Sequence, residues 1–223
     1  MRREDLRRLA PFAEMAAAPC REAIARDYAA KARGDGSAGR DWSGDVESWG
    51  YTPAMLECCD LGANADARAL FAAACGGGCP LTLDGVRPRA GETVVDLGCG
   101  AGHDLLLAAR MVGEGGRVIG VDMTDEMLAS ARTNIEKFGA DGCAVELKRG
   151  VIDDGTALEG VVDANVADYA ISNGVFNLTL DKLAAFATAY RVLKPGATPP
   201  NVSPRSARPS LDSPPRRRPV PPV

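Results

Sequence analysis

The 223-residue chain contains a single histidine, His103. Without a second imidazole there is no His pair to ligate zinc and no histidine relay, so most metal-site and triad chemistry is excluded and no metal is expected. No uninterrupted apolar run reaches membrane-spanning length, because Gly, Pro or Thr break the longest uncharged stretches. No secretory signal is expected from the opening residues, which mix Arg2, Arg3, Arg7 and Arg8 with Glu4, Asp5 and Glu14 and lack an apolar h-region. A cytoplasmic location with reduced thiols is therefore expected, a mitochondrial one being the weaker alternative because transit peptides avoid acid. Positive charge is not in excess either, with 26 Lys and Arg against 30 Asp and Glu and a net charge of −4. The expected partner is a small molecule, not nucleic acid or a membrane.

What is present is an ordinary globular composition, 46% hydrophobic and 25% charged, in a length that suits one domain with extra arms. Composition divides the chain into three parts. Residues 1–91 read as a helical extension with loops, in which Ile24 and Tyr28 keep helical spacing and Gly34 to Gly44 form a loop. Residues 92–196 alternate short apolar strands with amphipathic helices, the pattern of a parallel sheet flanked by helices. Strands are expected at Thr93 to Leu97, Arg117 to Asp122, Ala144 to Lys148 and Ala167 to Ser172. Helices are expected at His103 to Met111, from Thr124 as N-cap to Lys137, and at Leu180 to Leu193. Residues 197–223 carry nine of the fifteen prolines and five arginines from Pro199 onward. Proline at that density cannot supply the amides of a central strand, so a Pro/Arg-rich disordered tail is expected where a further strand was due.

The chemistry concentrates in Val94-Val95-Asp96-Leu97-Gly98-Cys99-Gly100-Ala101-Gly102, a buried strand running into a glycine turn and then a helix. Glycines let backbone amides approach a ligand at a helix N-terminus. The dinucleotide pattern G-x-G-x-x-G would need glycine at position 103, where His103 stands, so NAD is disfavoured. Twenty residues after Gly102, at the end of the second strand, Asp122 is placed to accept the ribose hydroxyls of an adenosine. Asp96 beside the loop suits an ammonium group better than a pyrophosphate, which a carboxylate would repel. The pair points to a cofactor with adenosine at one end and an amino acid at the other.

Asp96-Leu97-Gly98-Cys99-Gly100-Ala101-Gly102-His103-Asp104, the segment Arg117 to Thr124 with its Val-Asp-Met-Thr end, Ile171-Ser172-Asn173, and Tyr190 to Gly196 together resemble the class I S-adenosylmethionine-dependent methyltransferases. Within that class the similarity is greatest to the arsenite methyltransferase family. The resemblance covers roughly residues 92 to 196. It implies an α/β, Rossmann-like fold with a parallel sheet, S-adenosyl-L-methionine as cofactor, and methyl transfer to a small acceptor, arsenite leading. It further implies that Asp96, Gly98, Gly100 and Gly102 hold the methionine end, Asp122 the ribose, and Met123 one face of the adenine. Ile152 and Asp153 would lie along the adenine edge, and Asn173 near the sulfonium. His103 would sit near the carboxylate end and not act as a base.

In the arsenite family trivalent arsenic is held by cysteine thiolates, which suit soft ions. The resemblance offers Cys79, or failing that Cys75, as metalloid ligands, whereas the family's cysteine after Ile-Ser-Asn is Gly174 here. Small apolar packing is the alternative for these upstream cysteines. The second departure lies after Gly196, where the later strands of the family's sheet are expected to be missing. A methyltransferase of a small organic acceptor, and a non-catalytic truncated chain, are the competing expectations.

Overall fold

The computed structural model describes residues 21–30, 32–33, 87–197 and 200–203. Residues 21–30 form helix α1. The remainder alternates strand and helix: β1 Thr93–Leu97, α2 His103–Val112, β2 Arg117–Asp122, α3 Asp125–Phe138, β3 Ala144–Arg149, β4 Tyr169–Asn173, α4 Lys182–Val192 and β5 Asn201–Ser203. All strand pairs are parallel and the sheet order is β3-β2-β1-β4-β5. The chain winds outward from β1 to β3 and then returns to the other side of β1. The order therefore reverses between β1 and β4, and a crevice opens beyond the carboxyl ends of these two strands.

The inner strands β1 and β2 are buried and mostly apolar on both faces because both faces are covered, whereas β3 at the sheet edge is half-exposed and carries Glu146, Lys148 and Arg149. Val94 and Val118 pack with Leu105, Ala108, Ala109 and Val112 of α2 and Leu128 of α3. Val95, Leu97, Ile119 and Val121 point the other way, toward Ile152, Leu158, Ala185, Ala189 and Val192. The period of two along β1 and β2 thus feeds two separate cores. Leu105, Leu106 and Leu107 are fully buried, each contributing ~1.5–3 kcal/mol of transfer free energy. α2 approaches β2 closely because position 120 is glycine: a Cβ there would overlap Leu105 and stand 2.9 Å from Cys99 Sγ.

Helix ends follow local chemistry. α3 begins after Thr124 with Asp125 and Glu126 in its first turn, where acids suit the helix dipole. Thr124 occupies the N-cap position in extended conformation, but its hydroxyl makes no capping bond. α4 is capped by Asp181, whose carboxylate accepts from the Ala184 amide at 2.9 Å. That cap starts the helix two residues later than the expected Leu180, since capping requires Asp181 to leave helical geometry. β4 begins at Tyr169, not Ala167, because Ala167 instead makes an isolated bridge to Leu193.

One expectation is corrected. The sheet does not stop at β4: Asn201–Ser203 pairs with Ile171 to Asn173 as a short fifth strand. The triplet carries no proline, lying between Pro200 and Pro204, so its amides can enter a ladder that the neighbouring prolines cannot extend. The rest of the expected tail, from Pro204, lies outside the described residues, as do Cys75 and Cys79.

Candidate functional site

A cavity of about 240 Å³ occupies the crevice at the strand ends. Its floor is the β1–α2 turn with Gly98 and Gly100, both at positive φ, 87° and 52°. One wall comes from Asp122, Met123 and Thr124 after β2, and from Gly150, Ile152 and Asp153 after β3. Asn173, Gly174 and Val175 after β4 close the opposite side, and Arg21, Ile24 and Tyr28 of α1 complete the lining.

Asp122 braces the glycine turn. One carboxylate oxygen accepts from the Gly100 amide at 3.0 Å and the other from the Thr124 amide at 2.9 Å. A carboxylate offers about four acceptor positions, so these two bonds orient it without saturating it. Burial raises the Asp122 pKa above the ordinary carboxylate value, with the Thr124 and Gly100 amides pulling in the opposite direction. Asp96 lies beneath the turn, 2% exposed, in register with Gly120 on one side and Ile171 on the other. Burial pushes its pKa well above the usual range, and the charges of Asp104 and Asp122 add to the rise.

Asp104, on the first turn of α2, is equally buried. Its Oδ2 accepts from Asn173 Nδ2 at 2.8 Å and lies 3.3 Å from His103 Nε2. Asp153 is likewise built in. Its Oδ1 accepts from Arg21 Nη2 at 3.0 Å, while its Oδ2 accepts from the Leu180 amide at 2.6 Å. That one side chain ties α1 to the segment leading into α4.

Of the residues singled out in the sequence, Gly98, Gly100, Asp122, Met123, Ile152, Asp153 and Asn173 all line the one cavity. Asp96 and Gly102 stand behind it. Gly102 is the N-cap of α2 in left-handed conformation, and a Cβ there would meet Ala131 Cβ at 3.2 Å, so glycine at this position also lets α2 and α3 pack. Sequence reasoning missed Arg21, Ile24 and Tyr28 as lining residues. Their spacing of three and four places them on one helical face, which was legible, but the surface that face covers was not. It also missed Leu178, Thr179 and Leu180, which bring an otherwise unremarkable loop to the cavity rim.

These residues fit S-adenosylmethionine. The glycine turn leaves room for close approach, apolar Met123 and Ile152 suit an adenine, and a carboxylate stands on the β2 side where a ribose needs acceptors. Buried acid beneath the turn suits the ammonium group of the methionine end. Cysteine is absent from the cavity lining among the described residues: Cys99 is buried below the turn and Cys143 precedes β3. Burial raises the Cys99 pKa well above the ordinary thiol value, helped by the charges of Asp96 and Asp122, so this thiol stays protonated.

A methyltransferase domain model matches residues 88–199. The arsenite methyltransferase of Halobacterium salinarum is 40% identical over 168 residues, 72% of this chain and 40% of that protein. That of Aquipseudomonas alcaligenes is 41% identical over 126 residues, 55% of this chain and 34% of that protein. A ubiquinone/menaquinone biosynthesis C-methyltransferase of an Enterobacter species is 36% identical over 115 residues, 52% of this chain and 43% of that protein. The chain spans less than half the length of each of these relatives. With the strand order, the glycine turn and the acid after β2 in place, the chain belongs to the methyltransferase-domain family, whose cofactor is S-adenosylmethionine.

Proposed function

We propose that this chain transfers a methyl group from S-adenosylmethionine to a small-molecule acceptor, with thiol-bound trivalent arsenic the first acceptor to test. The observation that carries the reading is the cavity at the strand-order reversal, lined by the glycine turn, Asp122 and Asn173. The arsenite methyltransferases at 40% and 41% identity support the choice of acceptor.

S-adenosylmethionine supplies an electrophilic methyl group on a sulfonium. The protein's own share is binding and orientation. Asp96, Gly98, Gly100 and Gly102 are assigned to the methionine end, Asp122 to the ribose, Met123, Ile152 and Asp153 to the adenine, and Asn173 to the sulfonium side. Helix α1 lines the cavity through Ile24 and Tyr28, and the Arg21–Asp153 pair sets it beside the residues assigned to the adenine. No side chain is assigned as an acid or base, because an acceptor with a lone pair needs only alignment with the methyl group.

For arsenic, the thiolates would come from Cys75 and Cys79. Gly174, at φ 70°, stands where the resembling family has cysteine. The test is incubation of the purified chain with S-adenosylmethionine, arsenite and excess thiol, with methylated arsenic read by mass spectrometry. Methylated product that falls at least about ten-fold in Cys75→Ser or Cys79→Ser supports the reading, and its absence from the wild-type chain refutes the arsenic assignment. The glycine at 174 and the similarity to a carbon methyltransferase favour a second reading, a small organic acceptor. The domain limits we assign are residues 1–91, 92–196 and 197–223, the last now containing β5.

A further inference from the structure

β1 and β4 separate at the base of the crevice. Their ladder runs from Val94 opposite Tyr169 to Asp96 opposite Ile171 and ends there. β1 stays paired with β2 as far as Leu97, and β4 with β5 as far as Asn173. Strands on either side of a reversal in order diverge, because the loops that follow them lead to opposite sides of the sheet. Ser172 spans the gap one residue beyond the last rung: its Oγ donates to the Leu97 carbonyl at 2.6 Å. Ser172 is 1% exposed. By the alternation of a strand it shares its side of β4 with Ala170, which faces the core of Val95, Leu97, Phe176 and Ala185. A hydroxyl in such surroundings is costly to bury unless it is bonded, and an alanine like that at 170 would suit the apolar packing. What the hydroxyl adds is the link between the two strands.

We propose that Ser172 is a positioning residue of this site: through the Leu97 carbonyl it sets the spacing between the glycine turn and the end of β4. This rests on the reading of the cavity as the S-adenosylmethionine site. The residue after Leu97 is Gly98 and the residue after Ser172 is Asn173, and both line the cavity, one from the β1 side and one from the β4 side. A bond between their predecessors therefore fixes how far apart these two parts of the lining stand. A second contact reports the same closeness, since a Cβ built on Gly98 would overlap Val175 just after β4. A ligand that touches both parts binds only when the spacing is right, so its apparent affinity scales with the fraction of chains in which the spacing is preset. Loss of one hydrogen bond changes such a population about three- to ten-fold. The effect acts on the lining and not on the charge of the ligand, so it is the same for S-adenosylmethionine and for its thioether product, S-adenosylhomocysteine.

The experiment is calorimetric binding of the full chain to S-adenosylmethionine and to S-adenosylhomocysteine, with a thermal melt of each variant. Ser172→Ala is expected to weaken both ligands alike, by about three- to ten-fold. Ser172→Thr keeps the hydroxyl and is expected to stay within about two-fold of wild type. Ile171→Val removes a buried methylene group from the neighbouring position of the same strand, so its melt is expected to fall while both affinities stay within about two-fold. A Ser172→Ala chain that melts lower but binds both ligands as wild type does would show a merely structural role and overturn the proposal. So would weakening in Ser172→Thr or in Ile171→Val as large as that in Ser172→Ala. If Ser172→Ala does not fold cooperatively, Ser172→Cys, a weaker donor of similar shape, takes its place with the same expected direction. Failure of both to fold overturns the proposal, since the hydroxyl then serves folding. A wild-type chain that binds neither ligand refutes the cofactor reading itself, whereas wild-type binding that Ser172→Ala matches overturns only the role of Ser172.

Discussion

Val175, just after β4, fills the space that a side chain at Gly98 would need: a Cβ built on Gly98 overlaps Val175 Cγ2 and stands 2.8 Å from Cγ1. Gly98 itself sits at φ 87°. Two independent physical terms therefore hold glycine at this position, left-handed backbone and contact with the β4 loop. Gly98→Ala is expected to cost ~2–4 kcal/mol, from the left-handed penalty and overpacking together. Val175→Ala in the same chain should recover only the packing part. Urea denaturation of the two single variants and the double variant separates the terms, and full recovery in the double variant would show that backbone strain at 98 is negligible.

Gly120 tests the interior in the same way. A methyl group there meets Leu105 and Cys99 between α2 and β2, away from the cavity. Gly120→Ala is expected to destabilise by ~1–3 kcal/mol through overpacking. Because the change pushes α2, it is also expected to weaken cofactor binding, measured by calorimetry at a temperature where the variant remains folded. Unchanged denaturation would mean that α2 yields freely at this contact.

Asp153 and Arg21 form a pair whose members should matter unequally. Arg21 is about a third exposed and its ion pair is partly solvated, so Arg21→Ala is expected to cost under ~1 kcal/mol. Asp153 is 7% exposed at the side chain and also accepts from the Leu180 amide. Removing it in Asp153→Ala takes the acceptor from that part-buried amide as well as from Arg21, at ~1–2 kcal/mol in all. Thermal melts of both variants check the order, and equal losses would show that the Arg21 contact is the whole effect.

The buried acids set a pH dependence of defined sign. Asp96 has a folded pKa raised mainly by burial, and Asp122 is raised for the same reason. A carboxyl whose folded pKa lies above its unfolded value binds its proton more tightly when folded. Its contribution to stability is therefore fully present below the ordinary carboxylate range and is lost as pH rises through the folded value. The cofactor-free chain is expected to melt higher with Asp96→Asn than as wild type at neutral pH, and the difference should shrink as pH falls toward the ordinary carboxylate range. Binding of a cation should reverse the balance, strengthening with pH across that window and releasing protons. Asp168 runs the opposite way: although burial raises its pKa, the Lys194 bond and the Thr93 amide lower it further, so its stabilisation is lost as pH falls. Melting curves of wild type and Asp96→Asn across pH decide the matter, and identical slopes would remove Asp96 as the cause.

The sequence by itself determined the strands and helices from β1 to α4 to within about two residues, because apolar periodicity, caps and glycine turns are local properties. It also determined the cofactor class, since the spacing from Asp96 through the glycine turn to Asp122 is carried by one βαβ unit. The fifth strand needed tertiary structure: a proline-free triplet is too short to register as a strand until β4 offers it an edge. Tertiary structure alone also decided which face α1 covers, that Asp153 ties α1 to the start of α4, and that Asp104 stands behind Asn173, 69 residues away. Such pairings depend on how the sheet reverses its order at β1, and no local pattern in the chain encodes which distant side chains that reversal brings within hydrogen-bond reach.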